Sequence, residues 1–548
     1  MLFKLIKYPA IIISIAITLG CGGSAGSSPQ ASNEPSPAPN NPVSQNSPVA
    51  QCNSDPRVLS GMLPLTVCQG GWMFFNETFE GNGRTCGTCH PATNNYTIDQ
   101  QFIFGLSPDD KLFYTFQPSH TAYRAFYDDP NLDVGKPLET AALLTEFALV
   151  KVHIDGFDNI EYKYVSRAVP HLLSLSTSIA RDPGDNSGPE FVERIGWSGD
   201  GSGEDGSLRS FLNGGIEQHF TRNNDRTPGV SFRYANETEK DQMLAFLLAL
   251  GRTSDINLSL VTLTDSEAAM GKTAYMDPRN RCNHCHTNAG ANFALTGLNR
   301  NFNTGTVNRP TASVHLPNGA NHFDGGFGGK DLLAPNFTVA SAVPDAFGDG
   351  SFNVPSIIEA ADTGPFFHNH FAGASESRTN GIEKVVSFYG SGTFKSSPGA
   401  LELDSFFGGG IDITPVKVVQ IGRFLRVLNV AFNLAMAIQR LQAAYTLTQQ
   451  YPDSGKDIQK GLLMLADAEI EDALLVLSSA SSTGSAPLHS SQQILLQNAR
   501  VMLADAILAS SHSTRLDRTS TALSAVEVSK AALGTGMNFV LGSGNLMF

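Results

Sequence analysis

The pattern of apolar and polar residues divides this chain into segments of different character. An apolar run from Pro9 to Leu19 is followed by residues 22–51, which are mostly Ser, Pro, Asn and Ala. Towards the C-terminus, turn formers separate four segments with apolar residues at helical spacing: VVQIGRFLRVLNVAFNLAMAIQRLQAAYTL, IQKGLLMLADAEIEDALLVL, SQQILLQNARVMLADAILAS and TALSAVEVSKAALG. They predict a helical extension over residues 431–548, an antiparallel bundle or clasp. Its apolar stripes are expected to form a core, and docking of a partner is the alternative.

The N-terminal apolar run predicts export. Two lysines precede it and Gly20-Cys21 follows it, as in a secretory signal over residues 1–20 that is too short to span a membrane. Its end resembles a bacterial lipobox, with Cys21 as the lipidated residue. Leu19 stands one place nearer the cysteine than usual, and cleavage without lipidation is the alternative. Residues 21–51 predict a flexible tether. We therefore expect a periplasmic protein, anchored by lipid to the outer membrane or the cell surface.

Composition narrows the classes of function. The formal net charge of −14 at pH 7 argues against a nucleic-acid partner. Hydrophobic residues make up 41% of the 548 residues, which allows two or three domains with their own cores. After the signal, we predict no run that is apolar enough to span a bilayer.

Two copies of one ligand pattern indicate the chemistry. The first consists of Cys86, Cys89 and His90, and the second, with the same spacing, consists of Cys282, Cys285 and His286. C-x-x-C-H is the pattern for covalent haem attachment, because two thiols add to the porphyrin vinyl groups and the adjacent imidazole reaches the iron. A zinc site would more naturally combine two C-x-x-C units to supply four ligands, and four-cysteine coordination needs no histidine. The pattern therefore predicts two c-type haems, with zinc or dithiol chemistry as the alternative.

The remaining cysteines predict one disulfide. Four of the seven cysteines are in the two motifs and Cys21 is assigned to lipid, which leaves Cys52 and Cys68. In an exported protein such a pair is expected to be oxidised, closing a short loop ahead of the first motif. Two free thiols are the alternative.

The surroundings of the two motifs predict the domain organisation. A helix-like segment and a polar turn precede each motif, and a loop rich in Gly and Asn follows it, so the two regions look like versions of one unit. We expect a mainly α protein with two cytochrome c-like haem domains, over residues 52–257 and 258–430, and the C-terminal helical extension.

Five blocks, in chain order, carry a family resemblance: GGWMFFNETFEGNGRTCGTCH; RAVPHLLSLS with IGWSGDGSGEDGSL; LTDSEAAMGKTAYMDPRNRCNHCH; FNVPSIIEAADTGPFFHNHFAG; and ITPVKVVQIGRFLRVLN. They resemble the bacterial di-haem cytochrome c peroxidase family, which includes the di-haem enzyme that matures the quinone cofactor of methylamine dehydrogenase. The resemblance covers most of residues 70–429. It implies that hydrogen peroxide reacts at the N-terminal haem. It also implies that electrons from a small periplasmic cytochrome or copper protein enter at the C-terminal haem, which has a methionine ligand.

The second haem departs from the family pattern. Between His286 and Met436 the sequence contains no methionine, so another residue must bind the second iron. His368 and His370 are the nearest candidates, with His315 and His322 behind them. Bis-histidine ligation lowers a haem potential relative to methionine ligation, which puts the electron-input role in doubt. The alternative is a histidine that forms hydrogen bonds near the propionates.

For the first haem, the resemblance implies a displaceable histidine, and His153 lies roughly at its position, with His120 as the second choice. O–O cleavage also needs a group that moves a proton, and Glu217 follows the block where the family keeps its catalytic glutamate, with His219 close by. The alternative for Glu217 is a solvated loop carboxylate, and the alternative for His153 and His120 is a histidine at the surface or in the packing.

Two more family features map onto single residues. Trp197 corresponds to the tryptophan that lies between the haems and is thought to carry electrons, and a plain core tryptophan is the alternative. The family also binds calcium between its domains through backbone carbonyls and an asparagine. Here that position is Ala168, which weakens but does not remove the expectation of calcium.

These features predict a di-haem oxidoreductase that reduces hydrogen peroxide. Two alternatives stay open. The long interval between Cys86 and Cys282, together with the missing methionine, favours an oxygenase similar to the rubber-cleaving di-haem enzymes. If both irons are six-coordinate, the protein is a non-catalytic electron relay.

Overall fold

The computed structural model describes residues 47–107, 110–113, 142–152, 165–185, 192–199, 205–223, 225–306, 324–326, 350–372, 379, 381–479 and 488–548. They belong to one compact unit, Ser44–Phe548. The predicted signal, Cys21 and nearly all of the tether lie outside the described residues. So do four of the histidines considered above, which are His120, His153, His315 and His322.

The described part of the chain is mainly helical, as predicted, and its strands pair into three two-stranded antiparallel sheets. Short 3₁₀ helices connect these elements, at Ala92–Asn94, Lys111–Phe113, Leu175–Thr177, Leu258–Leu260, Thr287–Ala289, Ala360–Asp362 and Ser543–Leu546.

The first motif-bearing region contains the helices α1 (Pro48–Asn53), α2 (Pro56–Leu59), α3 (Leu65–Asn76), α4 (Cys86–Cys89), α5 (Gln100–Phe104), α6 (Ala142–Phe147), α7 (Leu208–Phe220) and α8 (Glu237–Leu247). It also contains the strands β1 (Leu149–Val152) and β2 (Val165–Ala168), paired antiparallel with Leu149 opposite Ala168. A disulfide joins Cys52 in α1 to Cys68 in α3 across a Cα–Cα distance of 5.8 Å. The predicted pairing is therefore confirmed.

The second motif-bearing region contains β3 (Thr262–Leu263), α9 (Ser266–Met276), α10 (Cys282–Cys285), β4 (Asn301–Phe302), β5 (Phe352–Asn353), α11 (Ile382–Tyr389), α12 (Gly392–Lys395), α13 (Pro398–Phe407) and α14 (Pro415–Gln450). Asp265 caps α9 by accepting the N–H of Ala268. Thr414 caps α14, and Pro415 occupies its first turn, where no N–H is needed.

The two regions repeat one helix crossing. In the first region α3 packs on α8, and a Cβ added at Gly70 would lie 1.9 Å from the Gln242 carbonyl oxygen and 2.9 Å from the Phe246 Cβ. In the second, α9 packs on α14 in the same way, and a Cβ added at Gly271 would lie 1.8 Å from the Gln420 carbonyl oxygen and 2.9 Å from the Phe424 Cβ. One turn further along, Phe74 meets Phe246 and Tyr275 meets Phe424, with ring centroids 5.1 and 5.3 Å apart.

The helical extension continues the second region without a break. The expected boundary between residues 430 and 431 falls inside α14, which is followed by α15 (Lys456–Ser478), α16 (Ser490–Leu508) and α17 (His512–Ala531). All four apolar segments are therefore helices. One buried core contains residues of both motif-bearing regions and of the extension.

Helix α14 corrects one expectation from the sequence. By length and composition it is apolar enough to cross a membrane, although we predicted no such run. In the structure, 83% of its most apolar window is buried among other helices. The hydrophobicity of this helix is accounted for by its central position in the core.

After α17 the chain returns to both motif-bearing regions. Strand β6 (Gly534–Thr535) pairs antiparallel with β3. The Asn545 side chain accepts the N–H of Gly251 at 2.6 Å and donates to its carbonyl at 2.9 Å. Arg57 donates to the Leu546 carbonyl at 2.5 Å. The C-terminal residues thus clasp both motif-bearing regions, which agrees with the clasp that was one of the two predicted forms of the extension.

Candidate functional site

The two C-x-x-C-H motifs have the same local structure. Each forms one helical turn, α4 or α10, and its histidine ends that turn with φ/ψ of −123°/63° at His90 and −118°/61° at His286. In both, the histidine N–H donates to the carbonyl of the first cysteine at 3.0 Å. The two sets of two thiols and one imidazole are therefore presented by the same backbone conformation.

Both motifs open into one cavity of about 560 Å³, a volume typical of small-molecule and cofactor sites. All four motif cysteines and both motif histidines line it. Apolar side chains from several elements form most of its wall, among them Leu212 and Ile216 of α7 and Leu425 of α14.

The motif thiols of Cys86, Cys282 and Cys285 are protonated. None of the four motif thiols is in a disulfide. Burial raises the pKa of Cys86 and of Cys282 to about 12, and it raises the pKa of Cys285 further. A reactive dithiol needs at least one thiol with a lowered pKa, so the raised pKa values of both Cys282 and Cys285 disfavour the redox alternative for the second motif. Within the described part of the chain, no group of three or more His, Cys, Asp or Glu side chains is placed to hold a metal ion.

The motif histidines are held for ligation through Nε2. Nδ1 of His90 lies 2.8 Å from the Tyr96 carbonyl oxygen, and Nδ1 of His286 lies 3.0 Å from that of Pro355. A carbonyl only accepts, so Nδ1 carries the proton and the lone pair of Nε2 is left for a metal. Burial lowers the pKa of both imidazoles to about 4, which keeps them neutral.

The cavity therefore offers what two c-type haems need. It combines two thiol pairs, two oriented neutral imidazoles, apolar walls and the cationic side chains of Arg84, Arg167 and Arg281, of which Arg167 is already paired with Asp324. Nδ1 of His171, which also lines the cavity, is buried and has no hydrogen-bond partner within the described residues. An additional acceptor or donor in the cavity would satisfy it.

His368 and His370, the candidate ligands of the second iron, both line the cavity and are buried. The ring of His368 stacks on Phe352 with centroids 3.7 Å apart. Nδ1 of His370 lies 2.7 Å from the Phe147 carbonyl oxygen, at the end of α6 in the first motif-bearing region. Burial lowers the pKa of both histidines to about 4. Ligation by either one stays a prediction.

The predicted catalytic glutamate does not line the cavity. The Glu217 carboxylate accepts the Tyr234 hydroxyl at 2.6 Å, whereas His219, two residues later, lines the cavity. His219 shares a face of α7 with Leu208, Leu212 and Ile216, the positions expected of one helical stripe, and Glu217 lies off that stripe. Burial, with the nearby Arg84 and His90, lowers the pKa of His219 to about 3.

Trp197 connects the two motif-bearing regions. Its indole Nε1 donates to the Ala168 carbonyl in β2 at 2.8 Å, and its own carbonyl accepts the N–H of Asn353 in β5 at 2.8 Å. The side chain lines the shared cavity and meets His368 edge to face, with centroids 6.5 Å apart. The Ala168 carbonyl at the expected calcium position is thus already engaged, and calcium stays a prediction.

Three further cavity residues were missed in the sequence. Arg167 forms a bidentate ion pair with Asp324, at 2.6 and 2.8 Å. His171 interacts electrostatically with His90 and Glu359. Tyr389 faces Cys282 and Cys285, and burial, reinforced by these thiols, raises its pKa. Arg167 and His171 lie inside the RAVPHLLSLS block, and membership of that block is the only feature of the sequence that could have pointed to them. Nothing in the sequence distinguishes Tyr389.

The predicted displaceable ligand His153 and its alternative His120 lie outside the described residues. Comparison with protein-family models, with curated proteins and with solved structures finds no match for this chain.

Proposed function

We propose that this protein is an exported di-haem c-type cytochrome that reduces hydrogen peroxide with electrons from a small periplasmic donor. The observation that supports it most strongly is that two C-x-x-C-H motifs of equal conformation open into one apolar cavity. The repeated glycine crossings, Gly70 on Gln242 and Gly271 on Gln420, support two cytochrome c-like domains built on one plan.

When bound, the two haems would supply one-electron transfer and the cleavage of the peroxide O–O bond. Cys86 and Cys89 would hold the first haem, and Cys282 and Cys285 the second, through thioether bonds. His90 and His286 would each present Nε2 to an iron while their Nδ1–H groups donate to backbone carbonyls. The apolar wall would exclude bulk water.

Reduction of one hydrogen peroxide to two water molecules consumes two electrons and two protons, so the site needs a group that moves protons. We assign this role to the imidazole of His219, because it lines the cavity and interacts electrostatically with His90. Its lowered pKa keeps it neutral at physiological pH, so its ring can form a hydrogen bond with peroxide, and it becomes an effective proton acceptor only if that pKa rises when haem and peroxide are bound. Glu217 forms a hydrogen bond with Tyr234 and is less well placed.

Trp197 is the proposed electron path between the two motifs, since it is bonded to β2 and β5 and lines the shared cavity. For the second iron we keep His368 or His370 as the distal ligand, both of them buried in the cavity wall.

The location and partners are part of the proposal. A disulfide between Cys52 and Cys68 fits an oxidising compartment such as the periplasm. The lipobox-like Cys21 would attach the protein to the outer membrane or the cell surface, and a small cytochrome or copper protein would deliver electrons.

A second candidate function is a di-haem oxygenase similar to the rubber-cleaving enzymes, favoured by the long interval between the motifs and by the missing methionine. Peroxide consumption with a reduced small cytochrome as donor, compared with dioxygen uptake on a polyisoprenoid, distinguishes the two. We expect turnover of peroxide. Dioxygen uptake without peroxide turnover would replace the proposal with the oxygenase, and inactivity in both assays would leave the electron relay.

A further inference from the structure

We propose that the helical extension tunes the first haem, with Asp472 of α15 as a positioning residue for His90. This inference depends on the proposed function only in requiring that a haem is attached at Cys86 and Cys89. The extension lies beyond the blocks that carry the family resemblance, so the resemblance implies no role for it.

Two hydrogen bonds connect Asp472 to the imidazole of His90. The Asn95 side chain donates through Nδ2 to Oδ2 of Asp472 at 3.0 Å. The next residue, Tyr96, accepts the Nδ1–H of His90 on its carbonyl oxygen at 2.8 Å. Asp472 and Asn95 are both buried, with exposed fractions of 3% and 5%. The carbonyl that orients His90 thus directly follows a residue held by the extension.

The backbone of this loop needs outside support. Asn95 and Tyr96 both have φ of +55°, a left-handed conformation that non-glycine residues rarely adopt. Asparagine tolerates it better than tyrosine does, and two such residues in succession persist only where the surroundings hold them. The bond from Asn95 to Asp472 is one such restraint.

The extension also encloses the Tyr96 side chain. Tyr96 is 1% exposed, and its hydroxyl has no hydrogen-bond partner within the described residues. It interacts electrostatically with Arg440 of α14 and Glu469 of α15, whose ion pair measures 2.6 Å. Tyr96 is therefore fixed by packing and by its neighbours, so its carbonyl is presented to His90 in one orientation.

Within the described residues, no hydrogen bond joins the extension to Pro355, the acceptor of His286 in the second motif. His286 donates to Pro355, which precedes the buried Ser356 to Glu359 segment of the second motif-bearing region. The two proximal histidines therefore have the same local geometry but different supports, and a change in α15 should affect the first alone.

The physical consequence concerns electron donation to the iron. A strong hydrogen bond from Nδ1–H makes the imidazole a more basic ligand and stabilises ferric iron. If the Tyr96 carbonyl moves, this bond weakens and the first haem becomes easier to reduce. Asp472 would thus keep the potential of the first haem low.

The test is Asp472→Ala in the full-length, haem-loaded protein. We expect one of the two reduction potentials to rise by about 59 mV, equivalent to a tenfold change in a one-electron equilibrium, with the other unchanged. The Fe–His stretching frequency of the ferrous first haem should fall. The control is Asp467→Ala, which removes a carboxylate of the same helix that binds Arg500 at 2.8 Å, and it should alter neither measurement.

A reciprocal exchange separates positioning from general loss of structure. Asn95→Asp combined with Asp472→Asn restores a donor and an acceptor in reversed order and should return the potential towards the wild-type value. The inference is overturned if Asp472→Ala folds, carries both haems and leaves both potentials unchanged, or if both potentials shift equally. Absence of covalent haem from the wild-type protein would instead refute the proposed function.

Discussion

Gly70 lies directly on the backbone carbonyl of Gln242, so closely that a Cβ added to the glycine would stand 1.9 Å from that oxygen. Gly271 meets the Gln420 carbonyl in the same way, and a Cβ added there would stand 1.8 Å from the oxygen. In each region the helix that precedes a C-x-x-C-H motif is thereby set against a later helix, and the motif is placed at the cavity. The glycines are needed for this approach, because no side chain fits there.

Replacing either glycine by alanine should destabilise the protein. Gly70→Ala and Gly271→Ala must each separate two packed helices, and overpacking of this kind costs about 1–3 kcal/mol. Urea denaturation gives the free energies of unfolding. Gly392→Ala is the matched control, because nothing lies within 4 Å of the added Cβ. Equal stability of Gly70→Ala and Gly392→Ala would contradict the crossing described here.

Haem content should follow the motifs one at a time. The double substitution Cys86→Ser and Cys89→Ser should leave one covalent haem per chain, and the matching change at Cys282 and Cys285 should do the same, because under the proposal each thiol pair would form its own thioether bonds. Pyridine haemochrome spectra and intact mass measure this directly. Unchanged haem content in either variant would exclude that motif as an attachment site.

The disulfide should contribute stability without affecting haem attachment. Cys52 and Cys68 are 16 residues apart, and a bridge over a loop of this length is worth about 3 kcal/mol. Replacing both by serine should lower the free energy of unfolding by about that amount while the protein still binds two haems. Loss of haem from this variant in its folded state would show that the bridge also shapes the first site.

The protein should lose stability in acid partly through His219. Burial lowers its folded pKa from 6.5 to about 3, so the folded state favours the neutral imidazole. The unfolded chain therefore binds more protons below about pH 6.5, and the contribution of His219, complete above that value, is lost as the pH falls towards 3. Between about pH 6.5 and pH 4, unfolding free energies of His219→Gln should fall less steeply than those of the wild type. Parallel curves would place His219 in solvent.

Trp197 should govern electron transfer between the haems. Trp197→Phe keeps an aromatic ring but removes the Nε1–H that donates to Ala168. We expect transfer after rapid reduction by a photochemical donor to slow by tenfold or more, equivalent to about 1.4 kcal/mol in the barrier. The other of the two tryptophans is the control, because Trp72 does not line the cavity. Equal rates in Trp197→Phe and Trp72→Phe would reduce Trp197 to a packing residue.

Much of the fold follows from local pattern. Apolar spacing was sufficient to predict the four C-terminal helices, and cysteine accounting was sufficient to predict the Cys52–Cys68 bridge. The boundary at residue 430 is less well supported, since α14 carries one apolar pattern through it. Because α14 packs in both the second motif-bearing region and the extension, its apolar spacing shows no break at which a boundary could be placed.

The site was harder to predict, because its contacts are long-range. Glu217 was chosen by its order in a block, yet the phase of α7 directs His219 to the cavity instead. Asn95 and Asp472 are 377 residues apart in sequence, and no local signal joins them. His171 and Tyr389 became candidates only through their positions in the fold.

The half-reduced protein, titrated with hydrogen peroxide and followed by optical and EPR spectroscopy, tests the central claim most directly. The account predicts two covalent haems in distinct states. One of them is high-spin in the half-reduced protein, and its high-spin signal disappears on addition of peroxide. The other haem is then oxidised. Two low-spin haems that leave peroxide untouched would contradict it, and the protein would then be an electron carrier.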